Sequence, residues 1–273
     1  MGIDLYKAVF LTDLHAGSGD INYSVIGNEI QKDTVTGYAT IHPSGVKGAL
    51  REYFSSKSFE RLDFVFGSGL TEDSMQSESG AYKFFSFNQL ARPLRAINGR
   101  YTYYLATSKD MLKGLKRYLR YSNLQSDKLS EAINEVLEKD FEDEKAYTLQ
   151  DEVEVKIEGY SAEKIDLRDN TKSKLISLMG ERVIIFNDST LKDIGYPVVA
   201  RNCTIEGKEN LWYEEIAPRE SVFFFAVDKE EGTDPKTGQE FDRLLCEELI
   251  QFGGNSSIGY GFANIEKMGA GMK

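Results

Sequence analysis

Stretches patterned as strands and as helices alternate along this chain in an order that few folds accept. The order is strand, helix, strands, helix, a long charged connection, strand, hairpin, strand, helix, strand. Leu5 to Thr12 is rich in aromatic and aliphatic residues and reads as the first strand. After Ser44, a helix N-cap by type, Val46, Ala49, Leu50, Tyr53 and Phe54 recur at helical spacing. Strands follow near Tyr82–Asn88 and Arg100–Thr107, joined by a hairpin-like connection holding Pro93 and Asn98-Gly99. Ser108 caps a basic helix with Leu112, Leu115 and Leu119 inward, and residues 128–141 make an acidic helix. The acid-rich connection to about Asp169 reads as an insertion that the core could do without. Further strands fall at Glu181–Asn187 and Ser221–Val227, the latter very apolar, with a protruding hairpin between Pro197 and Ile216. A last helix with Phe241, Leu244, Leu245 and Leu249 inward precedes a final strand, Tyr260–Glu266. This is an α+β chain with helices between antiparallel strands, compatible with a ferredoxin-like core.

Length permits one large domain or two small ones at 273 residues. No apolar run is long enough to span a membrane, and the first residues lack the pattern of a signal peptide. Tyr6 stands where a myristoylation signal after Gly2 wants Ser or Thr. Cys203 and Cys246 are far apart and share no metal-ligand spacing, so a reduced, cytoplasmic protein is expected. The net charge of −11 argues against nucleic acid at first sight. It is uneven, however: residues 1–125 hold 15 Lys+Arg against 12 Asp+Glu, and the remainder 18 against 32. An RNA-binding surface in the first part would need local clustering rather than a basic chain.

The stretch His15–Arg51 concentrates polar chemistry. It holds both histidines, the Gly17-Ser18-Gly19 turn, a long loop and a helix start with Lys47 and Arg51 four residues apart. That helix start, with Gly45 permitting close approach, suits a phosphate. His15 and His42 suit acid–base work in RNA cleavage, though their spacing does not force them together. Asp20, Glu29 and Asp33 are hard-cation donors whose convergence spacing alone does not show. Gly253-Gly254 and Gly259-x-Gly261 are similar to a phosphate-cradling loop, but the loop follows a helix and precedes a strand, the reverse of the dinucleotide-binding order. Backbone amides there can still hold an RNA backbone. Solvated loop groups and a solvated basic helix face are the plain alternatives.

Several of these stretches together resemble one family. Thr12-Asp-Leu-His15-Ala-Gly-Ser18-Gly19, Ile30-Gln-Lys-Asp33, Thr36-Gly37 and Ser44-Gly45-Val-Lys47-Gly-Ala-Leu-Arg51 are similar to the opening of the RAMP superfamily of CRISPR proteins. Leu211-Trp212-Tyr-Glu-Glu-Ile-Ala-Pro218 and Gly253–Phe262 resemble the fourth-subunit family of the type III-B (Cmr) effector, the repeated backbone of an RNA-guided antiviral complex. The resemblance implies a modified RNA-recognition-motif palm over residues 1–273, a helical, acidic insertion at about 108–180 and a thumb hairpin at about 198–213 carrying Arg201, Lys208 and Trp212. It implies copies stacked along a guide RNA, with target RNA and other Cmr subunits as partners. His15, Ser18, Ser44, Gly45, Lys47, Arg51, Gly253, Gly254 and Asn255 would hold RNA without reading its sequence, and base pairing would do the reading.

The family cuts target RNA with a loop Asp and a divalent metal. That Asp lies three residues before the Ile of its Ile-Gln motif, and here the position is Gly27. The expectation is a guide-RNA-binding subunit without target slicing, needing no cofactor to bind and Mg²⁺ only if it cuts. Two alternatives stay open: an active endoribonuclease using Asp20, Glu29 or His15, and a guide-processing nuclease using His15 and His42.

Overall fold

The computed structural model describes residues 2–19, 27–68, 78–124, 127–151, 154–205, 208–230 and 232–269, with the backbone alone for 203–205 and 208–210. The first elements are β1 (Ile3–Phe10), β2 (Thr40–Ile41), α1 (Pro43–Ser56), α2 (Leu62–Phe66), β3 (Tyr82–Phe84), β4 (Phe87–Ile97) and β5 (Tyr103–Ser108). Next come α3 (Lys109–Leu119), α4 (Asp127–Glu138), β6 (Lys145–Thr148), β7 (Lys156–Ile157), β8 (Tyr160–Lys164), α5 (Asp169–Met179), β9 (Val183–Phe186) and α6 (Asp188–Asp193). The chain closes with β10 (Val198–Ile205), β11 (Lys208–Glu215), β12 (Val222–Lys229), α7 (Pro235–Glu247), β13 (Ile250–Gln251) and β14 (Phe262–Lys267).

The apolar run of β12 sits mid-sheet because it can be buried on both faces. Phe223, Phe225 and Val227 enter one core, and Val222, Phe224 and Ala226 enter the other. Around it, β14, β1, β12 and β4 pair antiparallel in that order. α1 and α7 cover one face, where Phe54 and Phe241 stack at 4.8 Å. α3 covers the other, with Leu112, Leu115 and Leu119 against Leu5 and Phe224. Each such side chain contributes roughly 1.5–3 kcal/mol on full burial. With α3 packed on it, this second face of the sheet is not left open.

β4 continues past this sheet into a second one. β4, β5, β9, β6, β8 and β7 form a closed ring of paired strands, sealed by Ala96 opposite Ile157. Its interior holds Tyr104, Ala146, Ile157, Ile184 and Phe186.

Three expectations change. The Pro93 stretch is strand, not connection. Pro93 faces Leu105 of β5, and on the other edge β12 has left after Ala91 while β7 begins only at Ala96, so no partner there needs the missing N–H. The acid-rich connection holds three short strands, and α3, α4 and α5 share a core with β1 and β12. Polar strand residues such as those of β8 hid the pattern, because one side of the ring faces solvent. Leu249 is 43% exposed, since α7 ends two residues earlier. The expected loop at 67–80 falls largely outside the described residues. Among the described residues no helix is long and apolar enough to cross a membrane.

Candidate nucleic-acid interface

Three chain segments meet beyond the end of β1. The amide and carbonyl of Leu14 pair with Ala217 at 2.8 and 2.9 Å, Gln31 N–H donates to the Ala16 carbonyl at 2.7 Å, and Ser18 N–H to Glu29 at 3.0 Å. His15 is buried between them, with Nδ1 2.9 Å from the Glu215 carbonyl. Its own carbonyl accepts the Gly254 amide at 2.8 Å. Gly253 has φ +79°, and a Cβ there would lie 2.6 Å from the His15 carbonyl oxygen. Only glycine lets the two loops approach so closely.

The junction turns on consecutive carboxylates at the foot of the β10–β11 hairpin. Successive strand side chains point to opposite faces, so Glu214 and Glu215 address different segments. Glu215 accepts the Ile30 amide at 3.2 Å and pairs with Lys32 at 2.8 Å. Its main-chain N–H donates to the Asn28 carbonyl at 2.9 Å. Glu214 accepts from Trp212 Nε1 at 2.9 Å and Asn255 Nδ2 at 3.2 Å, and lies 3.4 Å from Arg201. The Arg201 guanidinium also sits 5.2 Å from the Tyr260 ring centre. Both glutamates are buried, which is tolerable only because each is fully engaged.

A second clamp holds the other foot of the hairpin. Two cations approach the Tyr196 ring centre, Arg92 at 4.4 Å and Lys32 at 5.8 Å. Its hydroxyl accepts the Ala39 amide at 2.7 Å and donates to Gln89 Oε1 at 2.5 Å, and burial pushes its pKa up to about 12. Arg92, itself buried, donates to the carbonyls of Leu191 and Gly195. Beside this foot lies a cleft of ≈ 510 Å³ lined by Pro93, Leu94, Tyr103, Pro197 and Pro218 among others.

The structure unites His15, Gly253, Gly254, Asn255, Arg201 and Trp212. Ser18, Ser44 and Gly45 are exposed nearby in sequence to this junction. α1 starts at Pro43, so the N-cap is His42 and not Ser44: proline's fixed φ suits the first helical position. The first helical bond runs from Val46 N–H to the His42 carbonyl at 3.0 Å, which leaves the Ser44 and Gly45 amides as end donors. Lys47, half-buried, has no ion pair among the described residues. Arg51 is not brought in: it pairs with Asp63 at 2.8 Å and donates to the Gly67 carbonyl at the α1–α2 corner. Asp33 accepts the Val35 and Thr36 amides at 3.1 and 2.7 Å. Burial raises its pKa, but these bonds and the Thr36 hydroxyl prevail and hold it below the ordinary value. Asp20 and the Lys208 side chain lie outside the described residues. Glu214, Glu215, Asn28 and Tyr196 were not predicted as site residues, since only the tertiary fold turns them inward.

His15 and His42 do not form a pair: His15 is committed to the hairpin foot, and His42 is exposed at the start of α1. Among the described residues no three His, Cys, Asp or Glu side chains converge to hold a metal. Glu29 is 3.9 Å from Lys32, and Gly27, exposed, brings no donor. Among the described residues, these do not fit a divalent cation. A Cβ at Gly27 would meet nothing among the described residues within 4 Å.

A RAMP superfamily model matches residues 7–264. The chain is 23% identical over 280 residues to the CRISPR system Cmr endoribonuclease Cmr4 of Pyrococcus furiosus, over 93% of this chain and 92% of that one. A type III-B Cmr-beta structure in its apo state is similar at TM-score 0.79, with 23% identity and 98% of each chain covered. The same complex bound to cognate target RNA gives 0.79 and 22%, over 98% of this chain and 97% of that one. Oligomeric Cmr4 from Pyrococcus furiosus gives 0.71 and 20%, over 98% and 99%. At such identities the solved structures speak for the fold, while the family match spans nearly the whole sequence. The chain belongs to the RAMP superfamily.

Proposed function

We propose that this chain is a guide-RNA-binding backbone subunit of a type III-B CRISPR effector, repeated along the guide, and that it recognises target RNA without cutting it. The observation that carries the RNA reading is the Glu214–Glu215 junction, which joins the β10–β11 hairpin to the His15 loop and the glycine loop. We read β14–β1–β12–β4 with α1 and α7 as a ferredoxin-like palm, whose strand order supports that name. Residues 108–180 are read as an insertion into it, and the hairpin as a thumb. The exposed Leu211 and Tyr213 suit contact with a base or a neighbouring copy. The Ser44 and Gly45 amides, end donors of α1 without a partner among the described residues, suit a phosphate together with Lys47. The exposed Ser18 hydroxyl offers a further contact, whereas the Gly254 amide is taken by the His15 carbonyl, so the glycine loop, like Arg51 at the α1–α2 corner, supports the site.

The likeness to a target-RNA-bound Cmr-beta complex and to oligomeric Cmr4 supports RNA, further copies and other Cmr subunits as partners. The Pyrococcus relative is named an endoribonuclease, which favours a second reading in which this chain cuts through a carboxylate such as Asp20. Gly27 speaks for the first. The assembled complex, incubated with matched target RNA and Mg²⁺, should bind without cutting. A ladder of products at about 6-nucleotide steps, one per thumb in the guided-complex logic, would reject the non-slicing reading. Failure of the chain to bind guide RNA would reject both.

A further inference from the structure

We infer that the exposed face of α3 is a second, sequence-independent contact for the RNA phosphodiester backbone, separate from the α1 helix start. The inference rests on the RNA-binding reading above. Lys113, Arg117 and Arg120 are exposed and recur at four and three residues, so they share one face. With Lys116 they line a cleft of ≈ 470 Å³ between α3 and α4, whose remaining walls are Ser130 and Leu137. Among the described residues no carboxylate lines it. Lys113 pairs with Asp110 at 3.2 Å; among the described residues Lys116, Arg117 and Arg120 have no ion-pair partner. In a chain of net charge −11, four cations around one cleft call for an outside anion.

Two further observations favour RNA over an acidic protein segment. Arg117 also lines a neighbouring cleft of ≈ 210 Å³ walled by Thr36, Tyr38 and the carboxylates Asp33 and Asp110, so one end of the α3 face adjoins the loop that follows Gly27. Beside Arg120, whose guanidinium is 5.7 Å from its ring centre, Tyr121 is 65% exposed and offers a stacking surface for a base. From Lys113 to Arg120 the helix rises about 10 Å, so its long cationic side chains reach neighbouring phosphates of one strand.

The test compares binding of labelled polyuridine by the full chain across a salt series. The Lys113→Gln/Arg117→Gln/Arg120→Gln variant is set against Lys47→Gln at the α1 start. A charge-matched control, Arg61→Gln/Lys236→Gln/Arg243→Gln, lies on the α1–α7 side. Removing three phosphate contacts should lower the slope of log K against log salt by about 2, with the control near wild type. An unchanged slope, or a loss equalled by the control, overturns the inference. So does a variant that keeps its RNA slope but loses self-association in sedimentation, which would mark α3 as a protein dock. If Lys47→Gln weakens binding and the α3 variant does not, this inference alone falls. If wild type fails to bind, the functional reading falls with it.

Discussion

Lys32 Nζ lies 2.8 Å from Glu215 Oε1, and this pair fastens the loop that follows Gly27 to the foot of the β10–β11 hairpin. The same carboxylate accepts the Ile30 amide, and the Glu215 carbonyl holds the His15 ring. One residue thus sets the position of loop, hairpin and histidine together.

Glu215→Ala leaves the Ile30 amide and Lys32 without their acceptor. Breaking a buried pair costs about 3–5 kcal/mol, and the one-third exposure of Lys32 points to the low end. Urea denaturation should show a loss of about 3 kcal/mol, and a smaller one for Glu215→Gln, which keeps an oxygen acceptor. Equal losses would mean that the charge does all of it.

Gly27→Asp should fold as wild type does, since a Cβ there meets no atom of the described residues within 4 Å. Its effect on stability should stay within about 0.5 kcal/mol, as at other open surface positions. If the surrounding site is intact, the assembled complex should then cut target RNA in the presence of Mg²⁺. A variant that stays silent in the ladder assay would place the loss of cleavage in more than this residue.

Asp4 lies 2.8 Å from Lys267 and 2.9 Å from Lys229, and both lysines also hold Asp242. Burial raises the Asp4 pKa, but hydrogen bonds from Lys267, Lys229 and Asn123 outweigh it and lower it from 3.8 to about 2. A depressed carboxyl stabilises the fold above its unfolded value and stops doing so as pH falls through the folded one. The contribution, about 1 kcal/mol after solvent screening, should therefore be whole above pH 3.8 and vanish towards about 2. Subtracting the stability curve of Asp4→Asn from that of wild type should isolate this step; parallel curves would refute it.

Tyr196→Phe deletes one hydroxyl that serves two groups, the Ala39 amide and Gln89. Leaving buried polar groups unsatisfied costs about 1–3 kcal/mol each, so a loss of about 2 kcal/mol is expected by denaturation. Burial also raises the pKa of Tyr6, Tyr38 and Tyr82, so the step to follow is the tyrosine near 12 that Tyr196→Phe removes from the wild-type absorbance titration. Hydrogen exchange at Ala39 should quicken in the variant, and protection equal to wild type would argue against the clamp.

Much of the α+β order was legible in the amino-acid pattern. β1, β9, β12 and β14, with α1, α4 and α7, fall within a few residues of where periodicity and turn residues place them. Burial fills a strand such as β12 on both faces with apolar groups, and that mark survives in one dimension. The ring strands β6, β7 and β8 left no such mark, because they are two to five residues long and partly solvent-facing. Proline at position 93 read as a break, and only the changing partners along the edge of β4 show why it is tolerated.

At the candidate site, the glycine loop, His15, Trp212 and the substitution at Gly27 were visible as residue types and motifs. Their mutual arrangement was not. Arg51 looked like a phosphate ligand until α2 brought Asp63 against it, and Glu214 and Glu215 looked like ordinary strand carboxylates. Chemical type, local period and the absence of a side chain are properties of single positions or short windows. Which carboxylate is buried, and which cation remains free, depends on contacts such as Lys32–Glu215, made across 183 residues by a sheet that closes only when the whole chain has folded.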